Sequence, residues 1–375
     1  MRGPLGAITV ALAVAACAAP GDDLPPVIAA AESERDAPAV DRFEVWVCHV
    51  PVDTTDPLYA TEPGRLDSTP AELTARFAAR VAAYWQAVSH GQYRPVLSPG
   101  GEVAIAADDP SAACVDRSVD AASDDADAVL VIADAQHAAD QPGGRSSPAG
   151  WSNCSDSCSA RDTGRHVYVG ANDFFVAADA MPFDLLEHEI GHSLGLPHSG
   201  DAEYTADNEA AGPYDVMGDP SSPRRVDPSR RDAPDLIAID RLQLGWLPIG
   251  AVHVADASGD RVDLAPSTGT SGTRMLVVPV IEHQALTVEL LTDSGFDDHL
   301  PASGVVVHVV DDSPASCGSV TRCGALDRRQ LIVGMAGSGN ALLRAGDAIE
   351  HTGWKVTVES ITAERATVVV SPVRG

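Results

Sequence analysis

Apolar and polar residues begin to alternate at Phe43. Phe43, Val45 and Val47 fall on one side and Glu44, Trp46 and Cys48 on the other, which predicts a first β-strand. Thr69-Pro70-Ala71-Glu72 then reads as a capping box with proline at the first helical position. The helix it starts runs through Phe77, Val81, Tyr84 and Trp85 to about His90-Gly91, long enough to back a sheet. Ala126 to Ala133 is a continuous apolar run and predicts a buried strand, and His166 to Gly170 predicts another with alternating character. From about Pro182 to Leu194, Leu186, Ile190 and Leu194 recur every four residues, so an amphipathic helix turns its polar edge toward a cleft. This half closes at Leu242-Gln243-Leu244-Gly245-Trp246-Leu247-Pro248. Beyond it, Val-rich segments (273–280, 285–291 and 304–310) alternate with Gly, Asp and Ser turns, and two more strands follow at 354–359 and 366–370. The expected fold is thus an α+β domain over residues 41–248 followed by an all-β, sandwich-like domain over 249–375.

The polar edge of the amphipathic helix carries the most specific chemistry. It reads His188-Glu189-Ile190-Gly191-His192-Ser193-Leu194-Gly195-Leu196-Pro197-His198. Residues four apart on a helix share a face, so His188 and His192 can present neutral imidazoles to one Zn²⁺. Glu189 points about 100° away around the helix, beside the metal, where a carboxylate can act as general base toward an attacking water. Gly195 lets the chain leave the helix, Pro197 stops it resuming, and His198 can return as the third ligand. Three protein ligands leave a fourth position open, the arrangement of a catalytic zinc. The same stretch contains Gly191-His192-Ser193-Leu194-Gly195, a literal G-x-S-x-G. A nucleophile elbow needs a buried strand before the serine, and Asp184, Glu187, His188 and Glu189 are too polar for one. Gly195, Pro197 and Gly200 would also break the helix an elbow requires after it. Ser193 is read as a bystander.

Tyr214-Asp215-Val216-Met217-Gly218 follows in a stretch rich in Gly, Pro and Asp. With the long zinc motif it resembles the Met-turn of the metzincin metallopeptidases, in which the methionine forms an apolar floor under the histidines. The resemblance implies that role for Met217. It also implies a twisted mixed sheet with a backing helix and a zinc helix. Some metzincins carry a tyrosine two residues after the methionine; Asp219 stands there, so no tyrosine ligand is expected from it. No sequence argument brings Tyr204 or Tyr214 to the metal. The zinc motif, YDVMG, the LGWLP exit and the GVVVHVVDD strand are most similar to the immune inhibitor A and gametolysin-like metallopeptidases. In that clan a substrate peptide pairs with the edge strand beside the active-site helix. Residues 167–170 are a candidate for that strand, unless they form an internal strand with no free edge.

Composition places this chemistry outside the cytoplasm. Arg2 and the mostly apolar run from Leu5 to Ala16 read as an export signal too short to span a bilayer. Val14-Ala15-Ala16-Cys17 resembles a bacterial lipobox, so Cys17 is a candidate lipidation site; the competing reading is an ordinary signal with an incidental cysteine. Residues 1–17 are then a signal with lipobox, and 18–40, rich in Ala, Pro, Asp and Glu, a flexible tether. Setting Cys17 aside leaves Cys48, Cys114, Cys154, Cys158, Cys317 and Cys323, and six cysteines allow fifteen pairings. Proximity suggests Cys154–Cys158 and Cys317–Cys323, leaving Cys48 with Cys114. Net charge is −29, with 54 acidic residues against 25 basic, which disfavours nucleic acid and anionic headgroups as ligands. Ca²⁺ is a minor expectation at Asp-rich loops such as Asp124-Asp125 and Asp297-Asp298, although no EF-hand spacing is present. The expected protein is therefore a monomeric, extracytoplasmic zinc endopeptidase acting on protein or peptide substrates and touching the membrane only through a lipid anchor. The alternative is an inactive surface lipoprotein of the same fold that binds a protein partner.

Overall fold

The computed structural model describes residues 24–34, 37–51, 66–135, 144–147, 159–170, 183–201, 212–313, 329–334 and 341–373. The protein is a mixed α/β molecule built on three sheets. The first has the order β2-β1-β3-β5-β4. It comprises β1 (Val40–His49), β2 (Arg94–Ala104), β3 (Ala128–Ala133), β4 (Gly144–Ser147) and β5 (His166–Val169). Four strands run parallel, and β4 pairs antiparallel with β5.

Helices cover both faces of this sheet, as the burial of its strands on both sides requires. Helix α2 (Pro70–Val88) begins as the sequence predicts: the Thr69 hydroxyl accepts the Glu72 N–H while the Glu72 carboxylate accepts the Thr69 N–H. Its buried face, including Phe77, Val81 and Trp85, packs with Phe43, Val45, Leu130 and Val167. On the opposite face, α3 (Ala112–Ala121) joins Trp46, Val129, Val131 and Tyr168 in a second core. A disulfide between Cys48 and Cys114 fastens α3 to β1, the pairing that cysteine proximity suggests. Helix α4 (Ala160–Thr163) is a single capped turn before β5. Helix α5 (Phe183–Ser193) contributes Phe183, Leu186 and Ile190 to the core beneath α2. The LGWLP exit closes this half by seating Trp246 against Trp85 and stacking it on Tyr93.

Two further sheets face each other around one apolar core drawn from both. One has the order β6-β12-β11-β10-β9-β7 and the other β13-β14-β15-β8. The first contains β6 (Ser199–Asp201), β7 (Val252–Val254), β9 (Met275–Ile281), β10 (Gln284–Leu291), β11 (Gly304–Asp311) and β12 (Arg329–Ile332). The second contains β8 (Asp260–Leu264), β13 (Ala348–His351), β14 (Trp354–Ile361) and β15 (Ala366–Pro372). Leu276, Leu286, Val288 and Val307 of one meet Val262, Val356 and Val368 of the other.

Two expectations about organisation are corrected. The boundary at 248/249 is not a clean break, because β6 comes from the loop just after the histidine motif and pairs in parallel with β12. The segment 18–40 is not tether throughout, because Pro26–Glu34 forms α1. Val27, Ile28 and Ala31 of α1 are fully buried among Ile237, Ile239 and Leu242 on one side and Met275, Val277, Ala285 and Val310 on the other. Burying the Val27 and Ile28 side chains is worth about 1.5–3 kcal/mol each and favours docking of the helix against the sheet.

Candidate metal centre

Helix α5 carries His188 and His192 one turn apart and ends where the sequence demands. Gly195 takes φ +92° and donates its N–H to the His192 carbonyl (2.8 Å), while Leu196 donates to the Gly191 carbonyl (3.1 Å). The Gln243 side-chain amide donates to the Gly195 carbonyl (2.7 Å) and ties this turn to the LGWLP exit. Pro197 prevents further helix, and the chain swings His198 back over the histidine pair.

The three imidazoles converge. One ring nitrogen from each lies within 4.8 Å of the others. His198 Nε2 is 3.3 Å from His188 Nε2 and 2.9 Å from His192 Nε2. The opposite nitrogens set the tautomers: His188 Nδ1–H donates to the Val216 carbonyl (2.7 Å) and His192 Nδ1–H to the Leu196 carbonyl (2.8 Å). Both Nε2 atoms therefore aim lone pairs at His198, and a single proton on His198 Nε2 could satisfy only one of them. A cation at the centre satisfies all three, and carbonyl-anchored Nδ1–H groups are the usual outer shell of metal-bound histidine. The donor set fits zinc. Burial, then the neighbouring His192 and His198, push His188 well below its ordinary value against the opposing pull of the Val216 carbonyl. Burial and then His198 lower His192 to about 3. Both rings are thus neutral near pH 7, the form that ligates.

Beneath the histidines lies the turn carrying Met217. Met217 is fully buried, and its sulfur occupies the space into which a side chain on Gly191 would project. Its carbonyl accepts the Ser199 N–H (3.0 Å), and the Ser199 hydroxyl donates to Asp215 (2.8 Å), so the turn and β6 are laced together behind His198. Glu189, next to His188 on α5, is also buried, at 4% exposure. Asp219 lies two residues beyond Met217 and accepts from Ser221. The Tyr214 hydroxyl accepts the Ala341 N–H (2.8 Å) and so links the turn to the β-rich half.

Ser193 is inside α5 and fully buried. Its hydroxyl donates to the Ile190 carbonyl (2.9 Å) and accepts from Arg165 (3.1 Å), which removes the nucleophile-elbow reading. Arg165 also donates to the Ser193 carbonyl (3.0 Å) and forms a bidentate, fully buried pair with Asp41, both bonds 2.6 Å. Tyr93 adds a hydrogen bond to the same carboxylate. This anchor at the helix C-terminus escaped the sequence reading, since Arg165 and Asp41 are 124 positions apart and no local pattern joins them.

Residues 167–170 are placed differently from the edge-strand reading. Strand β5 is internal, flanked by β3 and β4, and β4 is the outer strand among the described residues. In the Asp-rich loops, Asp124 pairs with Arg161, Asp298 pairs with Arg230, and Asp297 accepts the Asp235 N–H. Among the described residues, the histidine triad alone brings three or more His, Cys, Asp or Glu side chains together at metal-binding spacing. Cys17, Cys154, Cys158, Cys317, Cys323 and Tyr204 lie outside the described residues.

No protein-family model matches the chain, and no curated protein matches it. Among solved structures, one described as "Structure of a chaperone-substrate complex" is similar at 15% identity and a TM-score of 0.27. The match covers 56% of this chain and 35% of that one, and a likeness of that size carries no argument about fold or function.

Proposed function

We propose that this protein is an extracytoplasmic, lipid-anchored zinc endopeptidase of the metzincin type. The observation that carries the reading is the convergence of His188, His192 and His198 on one point, with the Nδ1 atoms of His188 and His192 bonded to backbone carbonyls and Glu189 beside them on the same helix. The parallel sheet with one antiparallel outer strand, the backing helix and the methionine under the triad support it.

The three imidazoles would hold zinc through their converging nitrogens. Bound zinc supplies Lewis-acid polarisation of the scissile carbonyl and acidifies water to near neutrality. Glu189 takes the proton of the attacking water and passes it to the departing amine. Strand β4, outermost among the described residues, is the strand on which an extended peptide would add. Val216 and Leu196, through their carbonyls, hold two of the rings in the ligating tautomer.

The test is digestion of a broad peptide library by the purified chain, read by mass spectrometry, with and without a zinc chelator. Chelator-sensitive cleavage that disappears in Glu189→Gln, with zinc content retained, is the expected result. Appreciable turnover by Glu189→Gln would remove that residue as the base. Stoichiometric zinc without cleavage of any peptide would assign the chain to partner binding instead.

A further inference from the structure

A second set of polar side chains is buried where the two halves meet, on the face of the β6-β12-β11-β10-β9-β7 sheet that packs toward α1 and α6 (Ala238–Gln243). Thr287 on β10 is paired directly with His308 on β11, and Glu289 lies two residues further along β10. Gln330 on β12 sits opposite Val310, two residues from His308. The two-residue period of a strand puts all four on one face. Each is at most 1% exposed. Thr287 Oγ1, Glu289 Oε1, both ring nitrogens of His308 and both amide atoms of Gln330 have no hydrogen-bond partner among the described residues.

Six orphaned polar atoms in one layer is a large cost. A polar group buried without a partner forfeits the hydrogen bonds it made to water in the unfolded chain. The nearest approach is Glu289 Oε1 to His308 Nδ1, at 3.6 Å. That is too long for a hydrogen bond. It matches the ~3.4 Å expected between two ligands that each sit ~2.1 Å from one tetrahedral ion. Burial raises Glu289 to about 7 and lowers His308 to about 4, so the two do not relieve each other as a charged pair near neutral pH. The other Glu289 oxygen accepts the Ala238 N–H (3.0 Å), and the buried Ser267 hydroxyl also interacts with this carboxylate.

We infer that Glu289, His308, Thr287 and Gln330 form a second, buried divalent-cation site, distinct from the histidine triad and suited to an ion that accepts mixed nitrogen and oxygen ligands, such as Zn²⁺ or Mn²⁺. Its place in the fold gives it a structural role. Gln330 is the register partner of Ser199, the residue after His198, and Ser199 is bonded to Asp215 in the methionine turn. An ion here would lock the β-rich half to the segment that carries the third histidine.

The test uses the full chain and does not depend on proteolytic activity, so its failure is separable from failure of the protease reading. The His188→Ala/His192→Ala variant, which lacks the triad, is incubated with Zn²⁺, Mn²⁺ or Ca²⁺ alone, passed through gel filtration and analysed for metal. About one Zn²⁺ or Mn²⁺ per chain is expected to remain, and adding His308→Gln should abolish it. Co²⁺ in the His188→Ala/His192→Ala chain should give visible ligand-field bands, a readout that requires no change within the layer. Loss of every ion from that chain, retention unaffected by His308→Gln, retention of Ca²⁺ only, or a featureless Co²⁺ spectrum would each overturn the site and leave internal water to satisfy these atoms.

Discussion

The sulfur of Met217 fills the space that a side chain on Gly191 would need. The glycine is therefore a packing requirement of the motif, because it lets the turn approach the helix between the two histidines. Gly191→Ala should cost about 1–3 kcal/mol by overpacking and displace the floor under His188 and His192. Met217→Leu, which nearly conserves volume, should cost less than about 1.5 kcal/mol. Urea midpoints and zinc content check both. The Gly191→Ala/Met217→Ala double variant should be less destabilised than the sum of its singles, since each change relieves the other. Additive losses would place the two residues out of contact.

Removing the metal should reveal how much of the fold depends on it. The lone pairs of His188 Nε2 and His192 Nε2 face His198 Nε2 at 3.3 and 2.9 Å, and without a cation at most one of them receives a proton from it. Chelation should lower the melting temperature, and added Zn²⁺ should restore it. Zinc at a thousand times its Kd stabilises by about 4 kcal/mol. In His192→Gln the share of the zinc-dependent rise that comes from the triad should vanish, whereas in Glu189→Gln it should persist. A thermal melt with and without zinc separates these outcomes.

The sequence makes the local parts of this molecule readable and leaves the long-range parts hidden. The capping box at Thr69, the alternation from Phe43, the apolar run predicted from Ala126 to Ala133 and the glycine exit at Gly195 are each decided within a few residues, and the structure has them in place, the run as a strand over Ala128–Ala133. The convergence of three imidazoles is legible because two lie one helical turn apart and the third follows a forced break. Helix α1 was hidden because its alanine-rich stretch looks like linker until the groove for Val27 and Ile28 is present. The same holds for β6, whose three residues acquire strand geometry only by pairing with β12, about 130 positions downstream. The burial of Glu289 and His308 was equally unreadable. A valine-rich strand with one polar residue reads as half-exposed, yet this sheet is covered on both faces.

Arg165 and Asp41 should be the most sensitive charged pair in the first half. Both are buried, and the guanidinium also holds the carbonyl and hydroxyl of Ser193 at the end of α5. Arg165→Met would strand the Asp41 carboxylate and should cost about 3–5 kcal/mol. Asp41→Leu in that background should recover part of the loss, because the uncompensated charge goes with it. If Arg165→Met alone is neutral by chemical denaturation, the pair is not an anchor for the helix.

Asp184, in the first turn of α5, gives a pH dependence with a definite sign. It is fully buried, and burial raises its carboxyl to about 6 in spite of Arg224, the Leu185 N–H and Arg231, which pull it down. Glu187 and Asp232 lie in the same group of charges, with Arg80 paired to Asp232. A folded value above the unfolded one of 3.8 means that the native state keeps its proton longer than the unfolded chain. The contribution of Asp184 to stability is therefore greatest below pH 3.8 and is lost as pH rises through about 6. Between pH 5 and 7.5 the loss should be on the order of 1 kcal/mol. In Asp184→Asn that part of the slope should disappear, leaving a flatter profile of urea midpoint against pH. A variant profile parallel to wild type would mean that Arg224 keeps Asp184 ionised throughout, and that the start of the metal-binding helix rests on a permanent ion pair.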